Sequence, residues 1–243
     1  MAFDAYGTLF RYHDAEFRIA VSEVLTAQRL DHPDHDEVHR TFVAAASPAG
    51  PWGDTADQEH RPDRQHMLSG PLPAWLSQWE IWRREWQITF DKHDLRGDPD
   101  RAADFLREEL TVAETYPDAL DTLERLSAHG LTLGLLSNAD DDFVQAALSR
   151  GRLRFSAIQT SESLRAYKPN RVIFEDFCRR LNHEPSEVLY VGDSLPTDVQ
   201  GASNAGLRTA WVRRGERQRS DALPAPDMEV SSLSAIADLL GAP

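Results

Sequence analysis

Met1-Ala2-Phe3-Asp4-Ala5-Tyr6-Gly7-Thr8-Leu9-Phe10 opens the chain. A short apolar stretch runs into Asp4, and two residues further on the backbone must turn sharply at Gly7-Thr8. The pattern predicts the end of a buried strand that presents the Asp4 carboxylate at a sheet edge. In open α/β sheets the carboxyl edge is where ligands bind. A carboxylate held there serves as a nucleophile or a metal ligand. Taken alone, the stretch also fits an aspartate that only caps its own turn. Three residues before Asp4 are few, since a strand usually has about five or six. The shortness points to a natural start upstream or to a clipped strand.

Past this opening the pattern is helical for a hundred residues. Apolar side chains fall on one face from Glu16 to Leu30 and again from Val38 to Ala46. Ser47 to Pro73, rich in Pro, Gly, Asp and His, reads as a long loop. Pro73 suits the start of the next helix, along which Trp75, Leu76, Trp79, Trp82, Trp86 and Phe90 recur at helical spacing. Such a tryptophan stripe is usually helix packing; left exposed, it would offer a dimer surface. Arg101 to Leu110 predicts a further helix.

From there strands and helices alternate. Helices are expected at Pro117–His129, Asp141–Ser149, Arg171–Leu181, Thr197–Ala205 and Leu233–Leu240. Strands are expected at Leu131–Leu136, Phe155–Thr160, Val188–Val191 and Thr209–Val212, with Val230 in a last one. The alternation indicates an α/β fold, a Rossmann-like parallel sheet with right-handed crossovers. Asp4 lies on a strand cut off from that block. The expected core is therefore residues 1–10 and 113–243, with an inserted all-helical cap at 11–112.

Composition narrows the function. The 243 residues are 41% hydrophobic, enough for a sizeable core. Net charge is −14, from 26 basic and 40 acidic side chains. A surface that acidic repels phosphate backbones and anionic lipid, so neither nucleic acid nor membrane is the expected partner. A small-molecule substrate is expected, with a monomer or a homodimer both open. The single cysteine, Cys178, excludes an internal disulfide and a cysteine-rich zinc site. No signal-peptide pattern opens the sequence and no apolar run approaches spanning length, so a cytoplasmic protein is expected.

Four strand-end signals converge on one edge of such a sheet: Asp4, Ser137-Asn138, Lys168-Pro169, and Asp193 with Asp198 five residues on. Two or three carboxylates there would make an oxygen-rich pocket for Mg²⁺. Lys168, one of only two lysines in the chain, would balance the charge and hold an anion. Ser137 and backbone N–H groups would donate to phosphate oxygens. Each has a plainer reading: Ser137 and Asn138 as helix caps, Lys168 as a solvated loop lysine, Asp193 and Asp198 as turn and first-turn acids.

Taken jointly, Phe3-Asp4-Ala5-Tyr6-Gly7-Thr8-Leu9, Leu136-Ser137-Asn138, Tyr167-Lys168-Pro169 and Gly192-Asp193-Ser194-Leu195-Pro196-Thr197-Asp198 resemble the motifs of the haloacid dehalogenase-like hydrolases, in the group whose helical cap follows the first motif. The resemblance implies Asp4 as the nucleophile and Ser137 and Asn138 at the transferring group. It implies Lys168 beside both nucleophile and substrate, and a Mg²⁺ held by Asp4, Asp193 and the Tyr6 carbonyl. Asp198 and Thr8 stand behind them.

Tyr6 departs from the phosphatase pattern, which has a second Asp there as general acid and base. A phenol titrates near 10, and losing a tuned acid–base group costs about 10²–10⁴ in rate. Asp-Ala-Tyr-Gly-Thr is what the haloacid dehalogenases carry, and they attack carbon without a metal. Asp193 points the other way, because those dehalogenases have Ser-Asn-type residues there. Dehalogenases also use a cap arginine for the substrate carboxylate, and Arg18, Arg29 and Arg40 are the candidates. The expectation is a Mg²⁺-dependent phosphatase of a small phosphorylated metabolite. The alternatives are a metal-independent 2-haloacid dehalogenase and a non-catalytic binding descendant.

Overall fold

The computed structural model describes residues 1–31, 34–45, 64–214 and 223–242. Its centre is a six-stranded, all-parallel sheet in the order β3-β2-β1-β4-β5-β6. The strands are β1 (Ala2–Phe3), β2 (Gly134–Ser137), β3 (Ala157–Thr160), β4 (Leu189–Gly192), β5 (Arg208–Val212) and β6 (Met228–Val230). From β1 the chain winds outward through β2 and β3, then crosses back to β4, β5 and β6. The order reverses at β1 and β4, the switch point where such sheets open a crevice beyond their carboxyl ends.

After β1 come the helices α1 (Asp14–Ala27), α2 (His35–Ala45), α3 (Arg64–Ser69), α4 (Gln78–Lys92) and α5 (Pro99–Val112) in succession, with no strand among them in the described residues. The chain leaves and re-enters the sheet layer side by side: Phe10 bridges Thr115 in antiparallel fashion, and Tyr116 N–H donates to the Leu9 carbonyl at 2.8 Å. The remaining helices are α6 (Ala119–Ala128), α7 (Asp141–Gly151), α8 (Ser161–Leu164), α9 (Arg171–Leu181), α10 (Gln200–Asn204) and α11 (Ser234–Leu239). A wide helical turn at Leu195–Val199 runs into α10.

The sheet is buried on both faces, and alternation sorts its side chains. Phe3, Leu135 and Val191 face a core that also takes in the inserted helices. Ala2, Leu136 and Tyr190 face the side covered by α9, where Cys178 sits buried beside Phe174 and Phe177.

The helix expected from Pro73 begins only at Gln78. Ser77 forms a capping box with Glu80: Glu80 N–H donates to Ser77 Oγ at 3.1 Å, and Ser77 N–H to Glu80 Oε2 at 2.7 Å. The Asp140 carboxylate, from the loop after β2, accepts the N–H groups of Gln78 at 2.8 Å and Trp79 at 3.0 Å. Orphan donors at a helix start are thus met by a distant carboxylate. Trp75 therefore leaves the stripe and stacks on Tyr167, centroids 5.0 Å apart. Trp82 and Trp86 are buried inside the insert and offer no exposed face. Part of the expected Ser47–Pro73 loop is helix α3; residues 47–63 lie outside the described residues.

Glu85, 2% exposed on α4, has neither carboxylate oxygen hydrogen-bonded among the described residues. Burial pushes its pKa up to about 8. The folded state therefore holds a proton that the unfolded chain releases near the ordinary glutamate pKa. Stability should be full below that ordinary value and fall as pH rises to about 8, on the order of 1 kcal/mol per pH unit. In Glu85→Gln, urea unfolding at several pH values should show this slope flattened and stability at pH 8 raised; an unchanged slope would show that Glu85 is ionised in the fold.

Candidate active site

The strand register builds the site. Phe3 lies beside Leu135 on one side and Val191 on the other, so Asp4 follows at the carboxyl edge of three adjacent strands. Ser137 closes β2 and Asp193 follows β4 at the same edge, and both are buried. Asp4 N–H donates to the Val191 carbonyl at 2.9 Å, which fixes the first strand against β4. Gly7 turns the chain away with φ +87°, and a Cβ there would stand 2.5 Å from Asp193 Oδ2. A Cβ on Gly192 would likewise collide with the Asp198 carboxylate.

Lys168 is the hub. Its ammonium donates to Asp4 Oδ1 at 2.6 Å, Asp198 Oδ1 at 2.6 Å and Tyr190 Oη at 3.0 Å. An ammonium has three donors, so none remains for a substrate while this arrangement holds. Tyr190 passes its own proton to the Leu136 carbonyl at 2.8 Å. Burial acts to lower the Lys168 pKa, but Asp198 and Asp4 outweigh it and hold the ammonium protonated. Burial pushes the Asp4 carboxyl up to about 6 against the pull of Lys168. In this arrangement Lys168, expected from sequence to lie beside both nucleophile and substrate, holds Asp4 Oδ1 and makes no bond to Oδ2.

Asn138, expected to bind substrate, holds the Lys168 loop instead. Its side-chain amide donates to the Lys168 carbonyl at 3.1 Å, and its side-chain oxygen accepts Lys168 N–H at 2.8 Å. Asp198 is fully engaged, with Oδ1 on Lys168 and Oδ2 accepting Ser194 N–H at 3.0 Å.

Asp4, Asp193 and Asp198 bring carboxylate oxygens within 4.8 Å of one another, all buried. One ammonium faces three carboxylates. Both Asp198 oxygens already accept hydrogen bonds, which makes Asp4 and Asp193 the more available donors for a cation. The Thr8 hydroxyl stands 3.5 Å from each, at the outer limit of hydrogen bonding. Hard carboxylate oxygens gathered this closely suit Mg²⁺, so the residues present fit the ion.

Tyr6 does not present its phenol as an acid. The hydroxyl donates to the Leu110 carbonyl of α5 at 3.1 Å, and the ring packs against Phe10, Tyr12 and Phe143. Burial drives its pKa well above the ordinary tyrosine value. The side chain ties the Asp4 turn to the insert. The three arginines proposed for a substrate carboxylate lie on exposed surface; Arg18 pairs with Asp14 and Asp36, and Arg40 with Asp34.

Several site residues escaped the sequence reading. Tyr190 sat unnoticed inside a strand run. His13 Nδ1 lies 3.7 Å from Asp193 Oδ2, and its Nε2 is 2.6 Å from the Tyr116 hydroxyl. Arg214 stacks over the Tyr116 ring at 3.6 Å, donates to the Thr8 carbonyl at 3.1 Å, and pairs with Asp118. These residues come from β4, from the two segments that join the insert to the sheet, and from just beyond β5. No local spacing links them.

The haloacid dehalogenase-like hydrolase family model matches residues 1–206, and the chain belongs to that family of hydrolases. It is similar to (S)-2-haloacid dehalogenase 4A of Burkholderia cepacia, 32% identical over 63% of this chain and 64% of that one. It is also similar to phosphoserine phosphatase of Thermus thermophilus, 30% identical over 77% of each chain. With (S)-2-haloacid dehalogenase 1 of a Pseudomonas strain the match covers 56% of that protein, so the chain spans about half to two thirds of the first of these relatives. The fold is shared with L-2-haloacid dehalogenase of Xanthobacter autotrophicus, TM-score 0.73 at 22% identity, covering 99% of this chain and 97% of that one. No described helix is long and apolar enough to cross a membrane.

Removing one member of a buried charge network leaves the others uncompensated, at a typical cost of about 3–5 kcal/mol. Lys168→Met should lose about that much in denaturant unfolding. Tyr190→Phe, which strips one hydroxyl, should lose about 1–2 kcal/mol. Equal losses in the two variants would show that Lys168 is not the hub.

Proposed function

We propose that the chain is a Mg²⁺-dependent phosphatase acting on a small phosphorylated metabolite through an aspartyl-phosphate at Asp4. The observation that carries this reading is the second buried carboxylate, Asp193, beside Asp4, where Lys168 already has all three ammonium protons engaged. Without a cation, that pair would repel each other and the carboxylate of a 2-haloacid. Asp4, Asp193 and the Tyr6 carbonyl would hold Mg²⁺, which supplies charge neutralisation for the phosphoryl oxygens.

Asp4 Oδ2 attacks phosphorus in line, the bond to the leaving oxygen breaks, and Lys168 steadies the other carboxylate oxygen. The Ser137 hydroxyl donates to the phosphoryl group at the same rim. Water then attacks phosphorus, releasing phosphate and restoring Asp4. Tyr6 is fixed on Leu110 with a raised pKa, so the leaving group receives no tuned acid from it. The reading therefore favours esters with good leaving groups, such as aryl and acyl phosphates. The insert acts as a cap that excludes water during the first step.

The same buried Tyr6, with the similarity to haloacid dehalogenases, favours a second reading: Asp4 displacing halide from a 2-haloacid without metal. One pair of assays separates them. p-Nitrophenyl phosphate hydrolysis should require Mg²⁺ and fall more than about 10³-fold in Asp4→Asn. EDTA-insensitive halide release from 2-chloropropionate would replace the phosphatase reading with the second. Silence in both assays would leave a binding role.

Tyr6→Asp restores the missing acid and should raise the phosphatase rate, by up to about 10²-fold. An unchanged or lower rate would show that leaving-group protonation does not limit turnover.

A further inference from the structure

A separate cavity of about 130 Å³ opens between the insert and the loop that carries Lys168. Leu72, Trp75 and Ile81 line it from the insert, and Arg165, Tyr167 and Lys168 from the other side. None of Asp4, Ser137, Asn138 or Asp193 lines it, so it is not the phosphoryl site.

Its walls are fixed. Trp75 and Tyr167 stack nearly parallel, 16° apart. The Tyr167 hydroxyl donates to the Leu76 carbonyl at 2.9 Å, and the Asn170 amide to the Gly70 carbonyl at 3.2 Å. Such a preformed apolar recess loses little order on binding. An apolar cavity of about 150 Å³ accepts benzene, so this one takes a single aromatic ring. Arg165 supplies the polar end. It is exposed, held by a left-handed backbone (φ 55°) at the end of α8, and its guanidinium has no ion-pair partner among the described residues. A guanidinium fork matches a carboxylate or phosphate in two-point fashion.

We propose that the cavity between the insert and the Lys168 loop is a ligand site for a small single-ring aromatic anion, the ring against Trp75, Tyr167 and Leu72 and the charge on Arg165. A ligand seated there rests on the insert and on the Lys168 loop at once, and so joins the two.

Phenylacetate and its uncharged analogue phenylacetamide are the probes, titrated into the full chain by calorimetry and by the Trp75 indole N–H resonance. Phenylacetate should bind at least tenfold more tightly than phenylacetamide. Arg165→Ala should remove the difference and leave phenylacetamide binding unchanged. Leu72→Glu, on a side chain 40% exposed, should abolish phenylacetate binding without changing the melting temperature. Ala74→Trp, which fills the cavity, should abolish binding of both probes. Asp4→Asn should leave all of it intact. The proposal is overturned if neither probe binds below 10 mM (about 2.7 kcal/mol), if the two bind equally, if binding survives both Leu72→Glu and Ala74→Trp, or if Asp4→Asn abolishes it.

Discussion

The buried contact between the Lys168 ammonium and the carboxylates of Asp4 and Asp198 is the constraint on which the rest depends. Taking three charged groups out of water is costly, and their attraction offsets that only when the geometry is tight and the remaining hydrogen-bonding capacity is filled. Here it is filled. Tyr190 takes the third proton of Lys168, Asn138 clasps the lysine's backbone on both sides, and Ser194 N–H occupies the far oxygen of Asp198. One end of the chain, a middle loop and a turn near the carboxyl end are thereby held at a common point. Two glycines, Gly7 and Gly192, leave the space that the flanking carboxylates need.

The same constraint shapes the chemistry. A saturated lysine holds one oxygen of Asp4, and the other stays uncommitted to it. Asp193 adds a further buried carboxylate at the same edge, with His13 Nδ1 3.7 Å from its Oδ2. The insert reaches this edge through Tyr6 on Leu110 and through Asp140 under α4, so its placement is tied to the strand ends.

The fold was largely legible because its signals are local. Alternating helical and apolar-run patterns gave the parallel sheet, and each expected strand formed within a few residues of its place. The Leu131–Leu136 run begins pairing only at Gly134, since Leu131 N–H is taken by the Leu126 carbonyl closing α6. The start of α4 was misplaced for the opposite reason. Pro73 and the tryptophans are a strong local pattern, but Ser77, Glu80 and a carboxylate from across the molecule supply the caps.

The sequence by itself determined which residues gather at the strand ends, because in a parallel sheet every strand carries its last side chains to the same edge. It also determined the family, through four spaced motifs. Only the tertiary structure decided how those residues divide the work. Asn138 and Ser137 are neighbours in sequence, yet Asn138 turns to the lysine's backbone. Tyr190, His13, Tyr116 and Arg214 join the site from segments that share no spacing. Hydrogen-bond saturation and burial are properties of the packed neighbourhood, and no linear pattern encodes them.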